Sequence, residues 1–436
     1  MTAGMSRVRK RGESYAVRRG LLCAMAVAGA WTVGVVGTAP VAVAAEDVRS
    51  KQWYLDAMDA EKIWKTTAGE GIKVAVIDSG VNSSTPSLKG QVLKGLDATG
   101  VKGDETDDYD GHGTTMAELI AGTGSGGGLQ GLAPKVKIIP YRVALDDFQR
   151  ENKSDPWDTS VAIRAAADSD AQIISMSIGS EFFESKEELA VKYAQSKGKL
   201  LFAAAGNTGN KDNKPGYPAR YPEVVGVAAS SPEGRTADYS QHGEFVDLAS
   251  PGNDIPAWCD ATFKSYCDGD GGTSAATAIA SASAALIWSA NPDWTANQVL
   301  RVMFESAGKG KDGKGKGLSN YYGHGVVRPG AHINRGLGKP GDPDISPLTN
   351  KRTGGAGASA APSASGASQP GEGADGTAPA VAGSGDTPEQ EKAGRTESAA
   401  KSEDESSQLG LILGGAAIVV VLAGGGLLVA RKRRAA

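Results

Sequence analysis

Apolar runs and amphipathic stretches alternate through the central part of the chain. The amphipathic stretches, such as residues 159–167 and 187–197, repeat their apolar positions at helical spacing. The apolar runs have the composition of buried strands, and they cover residues 73–77, 135–143, 173–179, 199–205 and 224–229. Strands that alternate with helices build a parallel sheet with helices on both faces, so the pattern predicts an α/β fold.

The N-terminal residues follow a different pattern. Several arginines precede an apolar run over residues 21–36, and small residues follow at 42–44. A basic start, an apolar segment and a small-residue cleavage site are typical of a secretory signal peptide, which we predict over residues 1–45. An uncleaved membrane anchor is the alternative. Residues 46–72 then form a short N-terminal extension, whose apolar side chains predict a helix packed on the body.

The composition changes again after the main domain, which we predict over residues 73–336. Residues 337–407 consist mostly of Gly, Ala, Ser, Pro and acidic residues, with almost no large apolar side chains, which is typical of a disordered linker. Residues 409–430 are apolar and long enough to cross a bilayer, and residues 431–436 begin with four basic side chains. We predict the membrane-spanning segment over residues 408–430. A transmembrane helix with a cytoplasmic tail is therefore expected. A sorting signal that is removed is the alternative.

The net charge bears on the possible partners of the protein, and predicted export bears on the state of its cysteines. The formal net charge of -4 over 436 residues gives no reason to expect a nucleic-acid partner. One of the three cysteines, Cys23, lies in the predicted signal peptide. Cys259 and Cys267 remain in a Gly- and Asp-rich segment, and export to an oxidising compartment predicts a local disulfide between them. Two unpaired surface thiols are the alternative.

The stretch around Ser274 carries candidate chemistry. Gly271 and Gly272 run into Thr273 and Ser274, and a long series of small residues follows. This pattern places Ser274 at the N-terminus of an Ala-rich helix, where backbone N–H groups are unpaired and the helix dipole favours negative charge. A nucleophile beside which an oxyanion must form needs such surroundings. A buried helix with a polar cap is the alternative.

Two further candidates precede this serine. Asp78 ends the first apolar run, and the carboxyl ends of parallel strands are where open α/β sheets place their sites. His112 lies between Gly111 and Gly113 at a predicted helix start, and the glycines let other backbone approach the ring. A lone histidine of this kind is more often structural. The strand-end carboxylate upstream favours a functional role.

The loop before His112 is rich in acidic residues, which could bind a metal ion such as calcium. A solvated loop is expected rather than a calcium site, because the spacing is not that of an EF-hand. We expect no required cofactor, and structural calcium is left open without being indicated. His242 and His324 are expected to be structural. The acidic residues of the loop are Asp104, Glu105, Asp107, Asp108 and Asp110.

The three candidate residues occur in the order Asp, His, Ser, within the strings VAVIDSGV, DGHGTTMAELIAG and GTSAATA. Together with ISMSIG, AAAGN and YSQHGEFVDLASP, these strings resemble the motifs of the subtilase family, which has this order of triad residues. The resemblance covers about residues 50–335. It implies a subtilisin-like three-layer fold, with a mainly parallel β-sheet between helices, and serine endopeptidase activity through an acyl-enzyme.

Matching positions to the family implies individual roles. Ser274 attacks the scissile carbonyl, His112 takes its proton and passes it to the leaving amine, and Asp78 orients the imidazole. Asn207 matches the oxyanion-hole asparagine. The family bears a bulky residue and a proline where this chain has Ala275 and Ala278, which puts the geometry of the helix start in doubt. The implied walls and floor of the S1 pocket are Ser177, Ile178, Gly179, Ala204, Ala205, Gly206 and Gly216.

The order of segments resembles the mycosins, membrane-anchored subtilases associated with type VII secretion. That resemblance implies protein or peptide substrates, contact with the lipid bilayer through the C-terminal helix, and a secretion-system membrane complex as partner. It also implies a single-pass cell-membrane protein with an extracytoplasmic catalytic domain. The alternatives are a subtilase-like scaffold that stabilises a secretion complex with dispensable activity, and a nutritional protease, which the anchor disfavours.

Overall fold

The computed structural model describes residues 48–152, 158–269, 271–309 and 318–353. These ranges contain nearly all of the predicted N-terminal extension, most of the predicted main domain and the first residues of the predicted linker. The predicted signal peptide, transmembrane helix and basic tail, and most of the predicted linker, lie outside the described residues.

A parallel seven-stranded sheet forms the centre of the body, with the strand order β2-β3-β1-β4-β5-β6-β7. A separate antiparallel hairpin pairs β8 with β9. The strands are β1 Lys73–Asp78, β2 Leu96–Asp97, β3 Lys137–Arg142, β4 Ile173–Met176, β5 Leu200–Ala204, β6 Val225–Ser230, β7 Leu248–Pro251, β8 Ala257–Trp258 and β9 Tyr266–Cys267.

Helices cover both faces of the sheet, which confirms the predicted three-layer α/β fold. Helices α3, α7 and α8 pack on one face, and α5 and α6 pack on the other. The α-helices are α1 Trp53–Ala57, α2 Ala60–Ile63, α3 His112–Ala121, α4 Asp146–Asn152, α5 Asp158–Asp168, α6 Ser185–Ser196, α7 Thr273–Ala290, α8 Ala296–Ser306 and α9 Pro329–Ile333, and two short 3₁₀ turns cover Val48–Lys51 and Ser125–Gly127.

Strand β1 shows why continuous apolar runs become central strands here. Val74 and Val76 belong to the core beneath α3 and α7, whereas Ala75 and Ile77 belong to the core beneath α5 and α6. Successive side chains of a strand point to opposite faces, so a strand covered on both sides needs apolar residues at every position. The strand therefore delivers Asp78 to the carboxyl edge of the sheet from a rigid interior.

Helix α7 lies in the core along almost its whole length. Its small side chains are buried on all sides, which lets the strands and α3 pack closely against it. Within the described ranges it is the one helix long and apolar enough to cross a membrane, yet here it is a core element. Helix α8 begins with a capping box formed by Thr295 and Gln298.

The N-terminal extension packs on the body, as its apolar pattern predicts. Tyr54 and Leu55 of α1 are buried, and the indole N–H of Trp53 donates to the Asn253 carbonyl at 3.0 Å. The side chain of Gln52 is buried and exchanges hydrogen bonds with the backbone of Gln130 at 2.8 and 2.9 Å. These contacts fix the extension beside the loop that leads towards Ser274.

The ordered body continues past the expected start of the linker at residue 337. The Asn297 amide donates to the Pro343 carbonyl at 2.8 Å, and the Arg301 guanidinium donates to the Ile345 carbonyl at 3.2 Å. Asn297 also donates to the Thr353 hydroxyl at 2.8 Å. Composition alone misses this segment, because hydrogen bonds to its backbone carbonyls and the packing of a single apolar residue, Leu348, attach it to the body.

Candidate active site

Asp78 ends β1 and is completely buried. Its Oδ1 accepts a hydrogen bond from His112 Nδ1 at 2.7 Å and one from the Ser79 N–H at 2.8 Å. Because the carboxylate accepts, Nδ1 of the imidazole carries the proton in this pair. In neutral His112, Nε2 is then the nitrogen with a lone pair, and it is available to accept a proton.

The glycines beside His112 have a steric reason. Gly111 has φ 93°, a left-handed conformation that suits glycine, and it starts α3. A Cβ at Gly113 would overlap the Gly80 carbonyl oxygen and lie 3.0 Å from the Asp78 Cβ. Glycine at this position therefore lets the first turn of α3 approach the end of β1 closely enough for the Asp78–His112 hydrogen bond.

Asp108 corrects the expectation of a solvated acidic loop. Its side chain is buried, and its Oδ2 accepts from the N–H and the hydroxyl of Thr114 at 2.9 and 2.6 Å. Its Oδ1 accepts from the N–H groups of Asp110 and Gly111 and from the Ser79 hydroxyl, at 3.0, 2.8 and 2.8 Å. The carboxylate satisfies donors at the start of α3 that would otherwise lack partners, and it complements the helix dipole there.

The pKa of His112 reflects two opposing effects. Burial lowers it, but the adjacent Asp78 carboxylate, its hydrogen bond to Nδ1, and the charges of Asp110 and Asp108 together raise the pKa to about 9. The imidazole still keeps 32% of its side-chain surface exposed. The charged form is therefore favoured at neutral pH, unlike that of an unperturbed imidazole with a pKa of about 6.5.

Ser274 lies in the first turn of α7. A Cβ at Gly271, whose φ is 73°, would overlap the Gly252 carbonyl oxygen, so the turn into this helix requires glycine. The Ser274 hydroxyl donates to the Ser177 carbonyl at 3.2 Å, and the Ser177 hydroxyl donates to the Ser274 carbonyl at 3.1 Å. No hydrogen bond joins Ser274 to His112 in the described part of the chain.

Asn207 follows β5 and faces the same helix start. Its Oδ1 accepts from the N–H and the hydroxyl of Thr273, both at 3.0 Å. These bonds fix the orientation of the amide and leave Nδ2 as its donor. A Cβ built on Gly272 would lie 3.4 Å from that Nδ2, so the donor points towards the turn that precedes Ser274.

The sequence of this chain is similar to those of known proteases. The family model described as "Subtilase family" matches residues 69–325, more than half of the chain. The chain belongs to the subtilase family. It is therefore a serine endopeptidase with a subtilisin-like fold.

Individual relatives agree with this assignment. Thermitase from Thermoactinomyces vulgaris is 38% identical over 208 residues, which cover 47% of this chain and 71% of thermitase. The crystal structure of MycP1 from Mycobacterium smegmatis is similar, with a TM-score of 0.54 and 27% identity over 64% of this chain and 84% of MycP1. The MycP3 protease from the type VII (ESX-3) secretion system has a TM-score of 0.54 and 28% identity, over 64% of this chain and 87% of MycP3.

The segments expected to form the S1 pocket of this subtilase end two neighbouring strands. Residues 177–179 follow β4, and residues 204–206 span the end of β5. Gly206 donates its N–H to the Thr273 hydroxyl at 3.0 Å, which ties the second segment to the start of α7. The N–H groups and carbonyls of Ser180 and Tyr217 pair at 2.8 and 2.7 Å, so Gly216 lies beside the continuation of the first segment.

A disulfide between Cys259 and Cys267 closes the β8–β9 hairpin. The hairpin contacts α3: the Trp258 N–H donates to the Thr115 hydroxyl at 3.1 Å, and the Tyr266 hydroxyl donates to Glu118 at 2.7 Å. Burial raises the pKa of Glu118 to about 7. The sequence gives no sign of this contact, because Glu118 lies inside an apolar helix and its partner Tyr266 is distant along the chain.

His242 and His324, which were expected to be structural, each stack on an aromatic ring. His324 stacks on Phe304, and burial, followed by the charge of Lys309, lowers the pKa of His324 to about 4. His242 stacks on Tyr321. Within the described ranges, no group of three or more His, Cys, Asp and Glu side chains is arranged to hold a metal ion.

Proposed function

We propose that this subtilase cleaves peptide bonds with Asp78, His112 and Ser274 as its triad and Asn207 as an oxyanion donor. The observation that carries the proposal is the 2.7 Å hydrogen bond between Asp78 and His112, which leaves Nε2 of the neutral imidazole as the basic nitrogen. Ser274 at the start of α7 supports the role of nucleophile, because N–H groups of a first turn lack partners within the helix.

The proposed reaction begins when the Ser274 hydroxyl leaves the Ser177 carbonyl and donates to His112 Nε2. The oxygen then attacks the substrate carbonyl while the proton moves to the imidazole, and Asp78 stabilises the resulting imidazolium. The negative charge on the substrate oxygen is met by the Asn207 amide and the Ser274 N–H. The imidazolium protonates the leaving amine, and water later hydrolyses the acyl-enzyme by the same route.

We further propose that the enzyme is anchored in the cell membrane by residues 408–430, with its catalytic body outside the cell and its basic tail inside. Its proposed role is to process substrates or components of a secretion system. A similar solved structure, at 30% identity, a TM-score of 0.55 and 64% coverage of this chain, is that of a serine protease MycP1 described as an essential component of the type VII (ESX-1) secretion system. That similarity supports the proposal.

Covalent labelling tests the nucleophile directly. A fluorophosphonate probe should label the wild-type protein and fail to label Ser274→Ala, because the probe reacts with an activated serine. Ser283→Ala is a matched control, since Ser283 lies in the same helix with its hydroxyl bonded to the Ile279 carbonyl in the core. Labelling that persists in Ser274→Ala, or that is lost equally in Ser283→Ala, would overturn the assignment.

A comparison of secreted proteins tests the physiological role. Cleavage products in the culture medium of wild-type cells should disappear in cells that carry Ser274→Ala at equal protein level. Secretion without any change in those products, together with loss of secretion when the whole protein is deleted, would instead support a scaffold with dispensable activity.

A further inference from the structure

Ser79 lies between two carboxylates, and the proposed triad uses only one of them. Its hydroxyl oxygen is 2.8 Å from Asp108 Oδ1 and 3.2 Å from Asp78 Oδ1. The same oxygen accepts the N–H of Gly113 at 2.9 Å. A hydroxyl has one proton and therefore donates to one carboxylate at a time. The shorter distance assigns this proton to Asp108.

The position of the Ser79 hydroxyl proton affects the interaction between Asp78 and His112. Asp78 Oδ1 already accepts from His112 Nδ1 and from the Ser79 N–H. An additional hydrogen bond from the Ser79 hydroxyl would stabilise the charge of the carboxylate and weaken its attraction for the imidazolium. As long as the hydroxyl donates to Asp108, Asp78 keeps that part of its attraction for His112.

We propose that Asp108 is a positioning residue, which holds the Ser79 hydroxyl proton away from Asp78 and so strengthens the interaction of Asp78 with His112. This inference rests on the proposed function, because it takes Asp78 and His112 as the catalytic pair. Asp108 touches no substrate in this mechanism. It acts through Ser79 and through the first turn of α3, which its carboxylate caps.

The charged groups that face His112 come from two elements. Asp78 ends β1, whereas Asp108 and Asp110 lie in the loop that precedes α3, and all three raise the pKa of the imidazole against the effect of burial. Replacing Asp108 with asparagine removes one of these charges and leaves the Ser79 hydroxyl with a neutral amide oxygen as its acceptor. Because a carboxylate is the stronger acceptor, the hydroxyl should then turn to Asp78, whose Oδ1 is 3.2 Å away. Both changes make His112 easier to deprotonate, so both lower its pKa.

A titration of the imidazole separates the two effects and needs no activity. The chain contains four histidines, so nitrogen-labelled histidine gives few signals, and His112→Gln identifies the signal of His112. In a Ser274→Ala background, we expect Asp108→Asn to lower the pKa of His112 by about 0.5–1 unit. Ser79→Ala should leave it unchanged, because the native hydroxyl does not donate to Asp78.

The double variant isolates the contribution of the hydroxyl. In Ser79→Ala/Asp108→Asn the decrease should be smaller than in Asp108→Asn, since no hydroxyl remains to turn towards Asp78. Thr114→Val is the matched control: it removes a hydrogen bond to Asp108 Oδ2 but leaves the Ser79 side intact, and it should not shift the titration. With Ser274 present, the acid limb of kcat/KM should move in the same direction.

Several results would overturn the proposal. An increase of the His112 pKa in Ser79→Ala would show that the hydroxyl donates to Asp78 in the native protein. An unchanged pKa in folded Asp108→Asn would also refute it. If Asp108→Asn does not fold, because the carboxylate caps α3, the titration of Ser79→Ala decides alone. Failure of fluorophosphonate labelling would refute the proposed function instead, since the titration does not depend on it.

Discussion

Helices α3 and α7 each carry a residue of the proposed triad in the first turn, and the N–H groups of these two turns have acceptors of different charge. At the start of α3, the buried carboxylate of Asp108 accepts the N–H of Thr114. At the start of α7, the acceptor for the Thr273 N–H is the neutral amide oxygen of Asn207. Both turns depend on glycine, at Gly111 and Gly271, which have φ 93° and 73°.

The difference matches the charge that each helix start would have to stabilise in the proposed reaction. A base that becomes an imidazolium benefits from nearby carboxylates, so negative charge at the start of α3 assists His112. An oxyanion beside Ser274 benefits from the positive end of the α7 dipole, and a carboxylate acceptor there would cancel that benefit. The same element, a helix N-terminus, thus serves two roles according to what caps it.

The largest expected effect comes from making the two helix starts alike. Asn207→Ala should lower kcat by about 10²–10³ with little change in KM, because it removes an interaction made mainly in the transition state. Asn207→Asp should lower kcat further, since it places a carboxylate where the oxyanion forms. Steady-state kinetics with a peptide substrate measure both.

Asn297→Ala, on the remote helix α8, is the control for these substitutions and should leave kcat unchanged. If Asn207→Asp is as active as the wild-type enzyme, a carboxylate at the start of α7 does not hinder the reaction, and the charge difference between the two helix starts has no catalytic meaning. An increase in KM with an unchanged kcat would mean that Asn207 contributes to substrate binding rather than to stabilisation of the transition state.

The pH dependence tests the acidic surroundings of α3. Only neutral His112 accepts a proton, so kcat/KM should fall about tenfold per pH unit below the pKa of the free enzyme. Because that pKa is raised to about 9, the acid limb should have its midpoint well above the pH of about 6.5 of an unperturbed imidazole. Rates measured from about pH 5 to 10 check this, and a midpoint at or below about 6.5 would contradict it.

The same shift has a consequence for stability. A histidine whose folded pKa exceeds its unfolded value stabilises the native state fully below the unfolded pKa of about 6.5. This contribution is lost as the pH rises towards about 9, the folded value. Unfolding of Ser274→Ala by denaturant, with and without His112→Gln, should show a difference that shrinks across this interval.

The smallest effect concerns the hairpin, which contacts α3 directly and continues along the chain to α7. Replacing Cys259 and Cys267 with serine should lower the unfolding free energy by about 2–3 kcal/mol, since the short disulfide loop no longer restricts the unfolded chain. Hydrogen exchange should increase more at the start of α3 than at the start of α7. Thermal unfolding and exchange measurements check both.

Ser265→Ala is the control for the hairpin, because Ser265 is exposed and adjacent to the disulfide without being part of it. An equal loss of stability in this variant would mean that the hairpin is sensitive to any change. An equal increase of exchange at both helix starts would show that the hairpin supports them alike.

The hydrophobic pattern predicted most of the central strands, because the apolar character of a short segment shows that the segment is buried. The apolar runs at residues 73–77, 135–143, 173–179, 199–205 and 224–229 became strands β1, β3, β4, β5 and β6. The short strand β2, Leu96–Asp97, was missed because its side chains are partly exposed and show no apolar pattern. Helix α4 was missed too, because its sequence is mostly polar, and its Phe148 stacks on Tyr109 with the ring centroids 3.8 Å apart.

The sequence by itself determined which residues are candidates for chemistry, because Asp78, His112 and Ser274 lie in short motifs next to glycines or at a strand end. Only the tertiary structure decided which polar groups support them. Asp108 looked like one of several solvated carboxylates, and its burial against α3 and Ser79 depends on contacts between separate elements. The periodicity of apolar residues predicts which side chains are buried. The hydrogen-bond partners of a buried polar group lie on segments that are distant along the chain, and only the fold brings these segments together.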